Sequence, residues 1–201
     1  QGLGRRWIGI DITHLAIALN KYRLAGTFPS ASYQVIGEPV DLAGARRLAQ
    51  DDRYQFQFWA LSLVRARPLG GKPVKKGADR GIDGIINFLE SDSKLRKVIV
   101  QVKSGRVGSS QIRDLVGTIE REKAVMGIFI TLEPPTRDMR TEAASAGTYQ
   151  SSAWNETYPR VQISTVEELL AGQRPKVPPA SGTFKQARLV DDRGDKQQNL
   201  F

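Results

Sequence analysis

The stretch that decides the fold is GADRGIDGIINFLESDSKLRKVIVQVKSG, residues 77–105. It holds two apolar runs, residues 82–89 and 97–105, separated by the polar sequence SDSKLR, which predicts an antiparallel hairpin. Side chains alternate between the two faces of a strand. Gln101 and Lys103 are therefore predicted on one face of the second strand, with Val98, Val100 and Val102 on the other.

The segments on either side of this hairpin complete an α/β pattern. Ile112, Leu115, Val116 and Ile119 repeat at helical spacing, and AVMGIFIT (124–131) is a continuous apolar run typical of a buried strand. Similar patterns predict one further strand at 161–164 and helices at 41–50, 53–64, 136–147 and 165–170. The alternation predicts a mixed sheet flanked by helices.

Composition divides the chain into three zones. Residues 1–37 open with WIGID (7–11), which predicts a strand, followed by a helix that starts near Ile12; together they form a small strand–helix appendage. Residues 38–171 contain the main α/β pattern. Residues 172–201 lack any apolar period and are predicted to form a polar tail.

The composition excludes several kinds of chemistry. The 201 residues include no cysteine and one histidine, so disulfides, thiolate zinc sites, cysteine nucleophiles and multi-histidine metal clusters are excluded. Carboxylates, lysines, amides and an oxygen-ligated metal such as Mg²⁺ remain. The sequence shows no signal peptide and no apolar run long enough for a membrane helix, so we expect a cytoplasmic protein with no membrane partner.

The charge distribution predicts a polyanionic partner. Thirty Lys and Arg against 21 Asp and Glu give a net charge of +9. Residues 65–80 contain one acid, Asp79, and six cations. The cations are candidate contacts to a double-stranded DNA backbone: Arg65, Arg67, Lys72, Lys75, Lys76 and Arg80. The alternative is a solvated basic loop.

Asp83, Gln101 and Lys103 form the constellation that could carry chemistry. A lysine and an amide at the end of an apolar strand need partners or a site, because their desolvation is unfavourable. In one interpretation, Asp83 and Lys103 form a structural ion pair. In the other, Asp83, the Gln101 side-chain oxygen and the Val102 carbonyl hold Mg²⁺ or Mn²⁺ for phosphodiester hydrolysis, with Lys103 stabilising developing charge.

Residues 51–170 resemble the Mrr-type branch of the PD-(D/E)XK restriction-endonuclease superfamily. The resemblance rests on GADRGIDGII, on QVK about 18 residues after its acid, and on the later segments GIFIT and RDMRTEAASAG. It implies a restriction-endonuclease-like mixed sheet, a magnesium cofactor, and catalytic roles for Asp83, Gln101 and Lys103. Because double-strand cutting usually needs two active sites, it also favours a homodimer.

The sequence departs from that family pattern at one position. The family often carries an acid on the preceding helix, where this chain has Gln57 as the candidate catalytic residue and Gln55 as the alternative. With Gln101 also neutral, Asp83 would be the one charged ligand. We therefore expect a metal-dependent DNA endonuclease domain of a fused restriction–modification protein, with a catalytically inactive DNA-binding or scaffolding module as the alternative.

A second resemblance covers the N-terminal zone. LGRRWIGIDITHLAIAL (3–19) is similar to the segment that follows the cofactor loop of DNA amino-methyltransferases, where an acid, here Asp11, binds the ribose of S-adenosylmethionine. The cofactor loop and catalytic motif are missing, so the similarity implies a remnant whose parent alone binds S-adenosylmethionine. The missing methyltransferase portion would be a partner. Alternatively, Asp11 caps the following helix.

Overall fold

The structure, a computed structural model, describes residues 6–69 and 81–179. The helices within these ranges are α1 (His14–Thr27), α2 (Leu42–Asp51), α3 (Arg53–Leu63), α4 (Ser109–Arg121), α5 (Arg137–Ser145) and α6 (Val166–Leu170). The strands are β1 (Arg67–Pro68), β2 (Gly84–Leu89), β3 (Leu95–Lys103), β4 (Met126–Thr131), β5 (Thr148–Ser151), β6 (Glu156–Pro159) and β7 (Val161–Thr165).

The main sheet is mixed and has five strands in the order β1-β2-β3-β4-β7. β2 and β3 form the predicted antiparallel hairpin, with Gly84 opposite Val100. β4 pairs in parallel with both β3 and β7, which places the apolar run at 126–131 in the interior of the sheet. The mixed sheet flanked by helices is therefore confirmed.

Strand alternation divides the core between the two faces of the sheet. On one, which we call the α3 face, Val98, Val100 and Val102 pack in a buried cluster with residues of α2, α3 and α6. On the other, the α4 face, Ile99 and Phe129 pack against residues of α4 and α5. Gln101 and Lys103 have the same parity as Ile99 and belong to the α4 face, as the sequence predicts.

A second, two-stranded sheet was not predicted from the sequence. It pairs β5 with β6 in antiparallel register, from Thr148 opposite Pro159 to Ser151 opposite Glu156. Its sequence, TYQSSAWNETYP, has no regular apolar alternation that would indicate strands. A buried glutamate directly after β2, Glu90, holds it: the carboxylate accepts hydrogen bonds from the side chains of Tyr149, Ser151 and Ser152.

At the two ends of the described chain, the structure agrees with some of the predictions and differs from others. The N-terminal helix is confirmed as α1, but residues 7–11 form no strand, because no described segment pairs with them. At the other end, residues 173–179 lack helix or strand but lie on the fold: the Gln162 side chain exchanges two hydrogen bonds with the backbone of Lys176. Residues 180–201 of the predicted tail lie outside the described residues.

None of the described helices combines the length and the apolar character that a membrane-crossing segment needs.

Candidate functional site

Gln101 and Lys103 line one open cleft of about 510 Å³, which we call the α4 cleft. The end of β3 and Gly81 form one wall, and the outer face of α4 forms the other. Gln101 is 4% exposed, whereas Lys103, at the last position of β3, is half-buried. The structure therefore brings two of the four predicted catalytic side chains to a single concave surface.

Asp83, the third, lies beside the backbone that joins them. Its Oδ2 accepts a hydrogen bond of 2.7 Å from the backbone N–H of Val102. Its own N–H donates to the carbonyl of Val100, at 3.0 Å. Asp83 is thus tied to β3 through both its backbone and its carboxylate, and is half-buried there.

The amide of Gln101 is also held by the protein itself. Its Nε2 donates a hydrogen bond to the carbonyl of Gly81. Gly81 has a φ of +75°, the left-handed region that glycine tolerates. A Cβ at this position would lie 3.1 Å from Gln101 Nε2, so the glycine permits the close contact that orients the amide.

These donors form a weak set for a hard divalent ion. Mg²⁺ prefers near-octahedral oxygen coordination and is usually bound through one or two carboxylates. Asp83 supplies the one carboxylate of the predicted set, and one of its oxygens already accepts from Val102. Among the described residues, no group of three or more His, Asp or Glu side chains is placed to hold a metal. Within the described part of the chain, Asp83 is therefore the one carboxylate of the predicted set through which a magnesium ion would be held.

The outer face of α4 supplies cleft residues that the sequence analysis missed. Arg113, Asp114, Gly117 and Arg121 line the cleft opposite Lys103. Arg113, Gly117 and Arg121 follow one another at i, i+4 and i+8, so they share one helical stripe. That spacing is visible in the sequence, but the sequence analysis used only the apolar residues of this helix.

The remaining predicted site residues lie elsewhere or outside the described ranges. Gln57 is half-buried on α3, a helix whose buried residues pack on the α3 face. Arg65 and Arg67 are exposed and line a different groove, of about 630 Å³, beneath α1. Four of the predicted DNA contacts fall outside the described residues: Lys72, Lys75, Lys76 and Arg80.

Asp11 is used locally at the start of α1. Its Oδ1 accepts hydrogen bonds from the backbone N–H and the hydroxyl of Thr13, and these bonds lower the pKa of the exposed carboxyl. The Thr13 side chain in turn accepts from the N–H of Ala16 and caps the helix. This arrangement fits the capping alternative, and the methyltransferase resemblance stays a prediction.

Comparisons with known proteins gave a match to one family model and a match to one solved structure. The family model described as NACHT-associated inactive Restriction Endonuclease 1 matches residues 70–171, about half of the chain. Among solved structures, the chain is similar to the MspJI restriction endonuclease in complex with a 27-mer oligonucleotide, with 17% identity and a TM-score of 0.46. That alignment covers 70% of this chain and 34% of the other, so the chain spans about a third of that endonuclease's length. The comparison with curated proteins gave no match.

Proposed function

The chain belongs to the NACHT-associated inactive Restriction Endonuclease 1 family, and on that premise we propose that its restriction-endonuclease-like domain binds the backbone of double-stranded DNA without cleaving it. The observation that carries this proposal is the composition of the α4 cleft. Among its described lining residues, three are cations, Lys103, Arg113 and Arg121, and one is an acid, Asp114. Two further acids, Glu142 and Glu122, lie outside the lining and pair with the two arginines. A concave surface with this charge excess suits a polyanion.

The charge of the whole chain supports the same partner. The net charge is +9, and residues 65–80 carry six cations against one acid. Contacts from lysine and arginine to phosphates need no base-specific geometry and supply most of the affinity in non-specific binding. A protein of this kind binds DNA most tightly at low salt.

The state of the predicted catalytic residues supports binding without cleavage. The Asp83 carboxylate accepts from the Val102 N–H, and the Gln101 Nε2 donates to the Gly81 carbonyl, so both side chains have partners within the protein. The position of the usual helix acid is occupied by the neutral Gln57. With Asp83 as the one carboxylate of the predicted donor set, we expect the affinity of this site for Mg²⁺ to be low.

Binding is tested by fluorescence anisotropy with a labelled DNA duplex at several salt concentrations. We expect wild-type binding with a steep inverse dependence on salt, weakened several-fold in Lys103→Ala. Lys94→Ala is the matched control, because Lys94 lies at the opposite end of the β2–β3 hairpin and is 70% exposed. Absence of wild-type binding at low salt, or tighter binding to a matched RNA duplex, would contradict the proposal.

The second candidate is a metal-dependent endonuclease. The observation in its favour is that Gln101 and Lys103 share one cleft while Asp83 contacts the intervening Val102. Supercoiled DNA incubated with Mg²⁺ or Mn²⁺ separates the two candidates. Nicking or linearisation by the wild type that disappears in Lys103→Ala would establish the nuclease, whereas intact DNA in the presence of demonstrated binding supports the inactive module.

A further inference from the structure

Gly117 lies in the middle of α4, where neither a close contact with the described residues nor its backbone angles require glycine. α4 runs from Ser109 to Arg121, so Gly117 is two turns from its start and one from its end. A Cβ at this position would have no atom of the described residues within 4 Å, and the residue is exposed. Its backbone is helical, so no positive φ demands glycine either.

At Gly127, by contrast, close packing does require glycine. Gly127 lies on β4 beneath the same helix, and a Cβ there would lie 2.7 Å from Ile119 Cδ1 and 3.0 Å from Leu115 Cδ1. Glycine at 127 lets α4 pack closely on the sheet. Glycine at 117 is on the outer side of the helix, where it weakens the helix without improving any contact within the described residues.

Two arginines flank the open position. Arg113 and Arg121 lie one turn before and one turn after Gly117 on the stripe that lines the α4 cleft. Both are exposed and paired with acids: Arg113 Nη1 is 3.0 Å from Glu142 Oε2, and Arg121 Nε is 3.3 Å from Glu122 Oε1. A guanidinium group has five N–H donors, so an arginine that is paired with one carboxylate can also contact a phosphate.

We propose that Gly117 is the point at which one strand of a DNA duplex touches α4, with its phosphates held by Arg113 and Arg121 and approached from the sheet side by Lys103. This inference rests on the proposed function and assigns its contact surface. Without a side chain, Gly117 lets the sugar–phosphate backbone reach the helix surface between the two guanidinium groups. The arginines are separated by about 12 Å along the helix axis, roughly the axial span of three to four nucleotides of one strand.

The experiment measures duplex binding by anisotropy for Gly117→Leu, Gly117→Ala, Arg113→Ala and Arg121→Ala. We expect Gly117→Leu to weaken binding at least tenfold and Gly117→Ala to weaken it less, because the larger side chain holds the strand further away. Each arginine variant should reduce the slope of log affinity against log salt by about one unit. Thermal unfolding should show the Gly117 variants to be no less stable than the wild type.

Two control variants separate this inference from the proposed function. Gln50→Leu places the same side chain at an exposed position of α2, a helix that contributes no residue to the α4 cleft. Arg47→Ala removes an arginine that is 85% exposed on α2 and, like Arg113 and Arg121, is paired with an acid. If the wild type binds DNA and the Gly117 and arginine variants bind like these controls, the contact surface is wrong while the proposed function stands. If the wild type does not bind, both fail.

Discussion

The Oδ2 of Asp83 accepts a hydrogen bond of 2.7 Å from the backbone N–H of Val102, the residue between Gln101 and Lys103. The bond joins the residue that precedes β2 to the end of β3, where the regular ladder between the two strands has ended. An ionised acceptor makes such a bond stronger than a neutral one. Asp83 therefore stabilises this end of the hairpin in the absence of any metal.

Replacement of Asp83 should reduce stability without added metal. Asp83→Ala removes the acceptor of the Val102 N–H, and we expect a loss of about 1–2 kcal/mol in the free energy of unfolding. Urea denaturation in the presence of a chelator measures it. Asp51→Ala is the control, because that carboxylate is 68% exposed and its loss should change little. Unchanged stability of Asp83→Ala would show that the bond to Val102 is not structural.

Gly81 should be intolerant of any side chain. Alanine there must adopt a φ of +75°, which costs about 1 kcal/mol or more, and must also displace the Gln101 amide from the Gly81 carbonyl. Gly147→Ala isolates the backbone cost, because Gly147 has a φ of +81° and open space around it. Chemical denaturation of both variants should show the larger loss for Gly81→Ala. Equal losses would mean that the contact with Gln101 contributes nothing.

Glu90 should couple the β5–β6 hairpin to the main sheet. Its carboxylate accepts from the Tyr149, Ser151 and Ser152 hydroxyls and from the Ala153 N–H. Glu90→Gln replaces an ionised acceptor by a neutral amide that cannot satisfy all four donors, so we expect a loss of about 3 kcal/mol in the free energy of unfolding. Hydrogen exchange should show faster opening of residues 148–159 in this variant. Exchange at the wild-type rate would contradict the coupling.

The same residue should make stability depend on pH. Burial alone would raise the pKa of Glu90, but hydrogen bonds from Ser151, Ser152, Tyr149 and Ala153 outweigh it and hold the pKa well below the ordinary value of 4.5. Its contribution is therefore complete above that ordinary value and is lost as the pH falls below it toward the lowered folded pKa. Denaturation between pH 7 and pH 3 should show a smaller decline for Glu90→Gln than for the wild type. Glu167→Gln, which removes an exposed carboxylate, should follow the wild-type curve.

Glycine at position 127 should be required for α4 to pack closely on β4. Gly127→Val places side-chain atoms where Ile119 and Leu115 already lie, and overpacking of this kind costs about 1–3 kcal/mol. Thermal denaturation should show a lower melting temperature for Gly127→Val, whereas Gly117→Ala on the outer side of the same helix should melt no lower than the wild type. A Gly127→Val protein with wild-type stability would show that α4 does not press on β4 at this point.

Much of the fold was predictable because it depends on periodicity along the chain. The hairpin of β2 and β3, the buried β4 and the helical spacing of Ile112, Leu115 and Ile119 are local patterns, and the structure confirms each of them. The β5–β6 hairpin was missed since its strands carry few apolar residues. A buried acceptor 58 residues upstream of its first residue, Glu90, holds it, and no pattern within the hairpin reveals that partner.

The candidate site, too, could be predicted from the sequence only in part. The sequence by itself determined that Gln101 and Lys103 share a face of β3, because alternation is a property of every strand. Only the tertiary structure decided that Asp83 binds the Val102 N–H, that Gly81 holds Gln101, and that the stripe of Arg113, Gly117 and Arg121 lies across the cleft. Alternation and helical spacing are set by covalent neighbours, whereas these contacts depend on how separate elements pack, which no local spacing specifies.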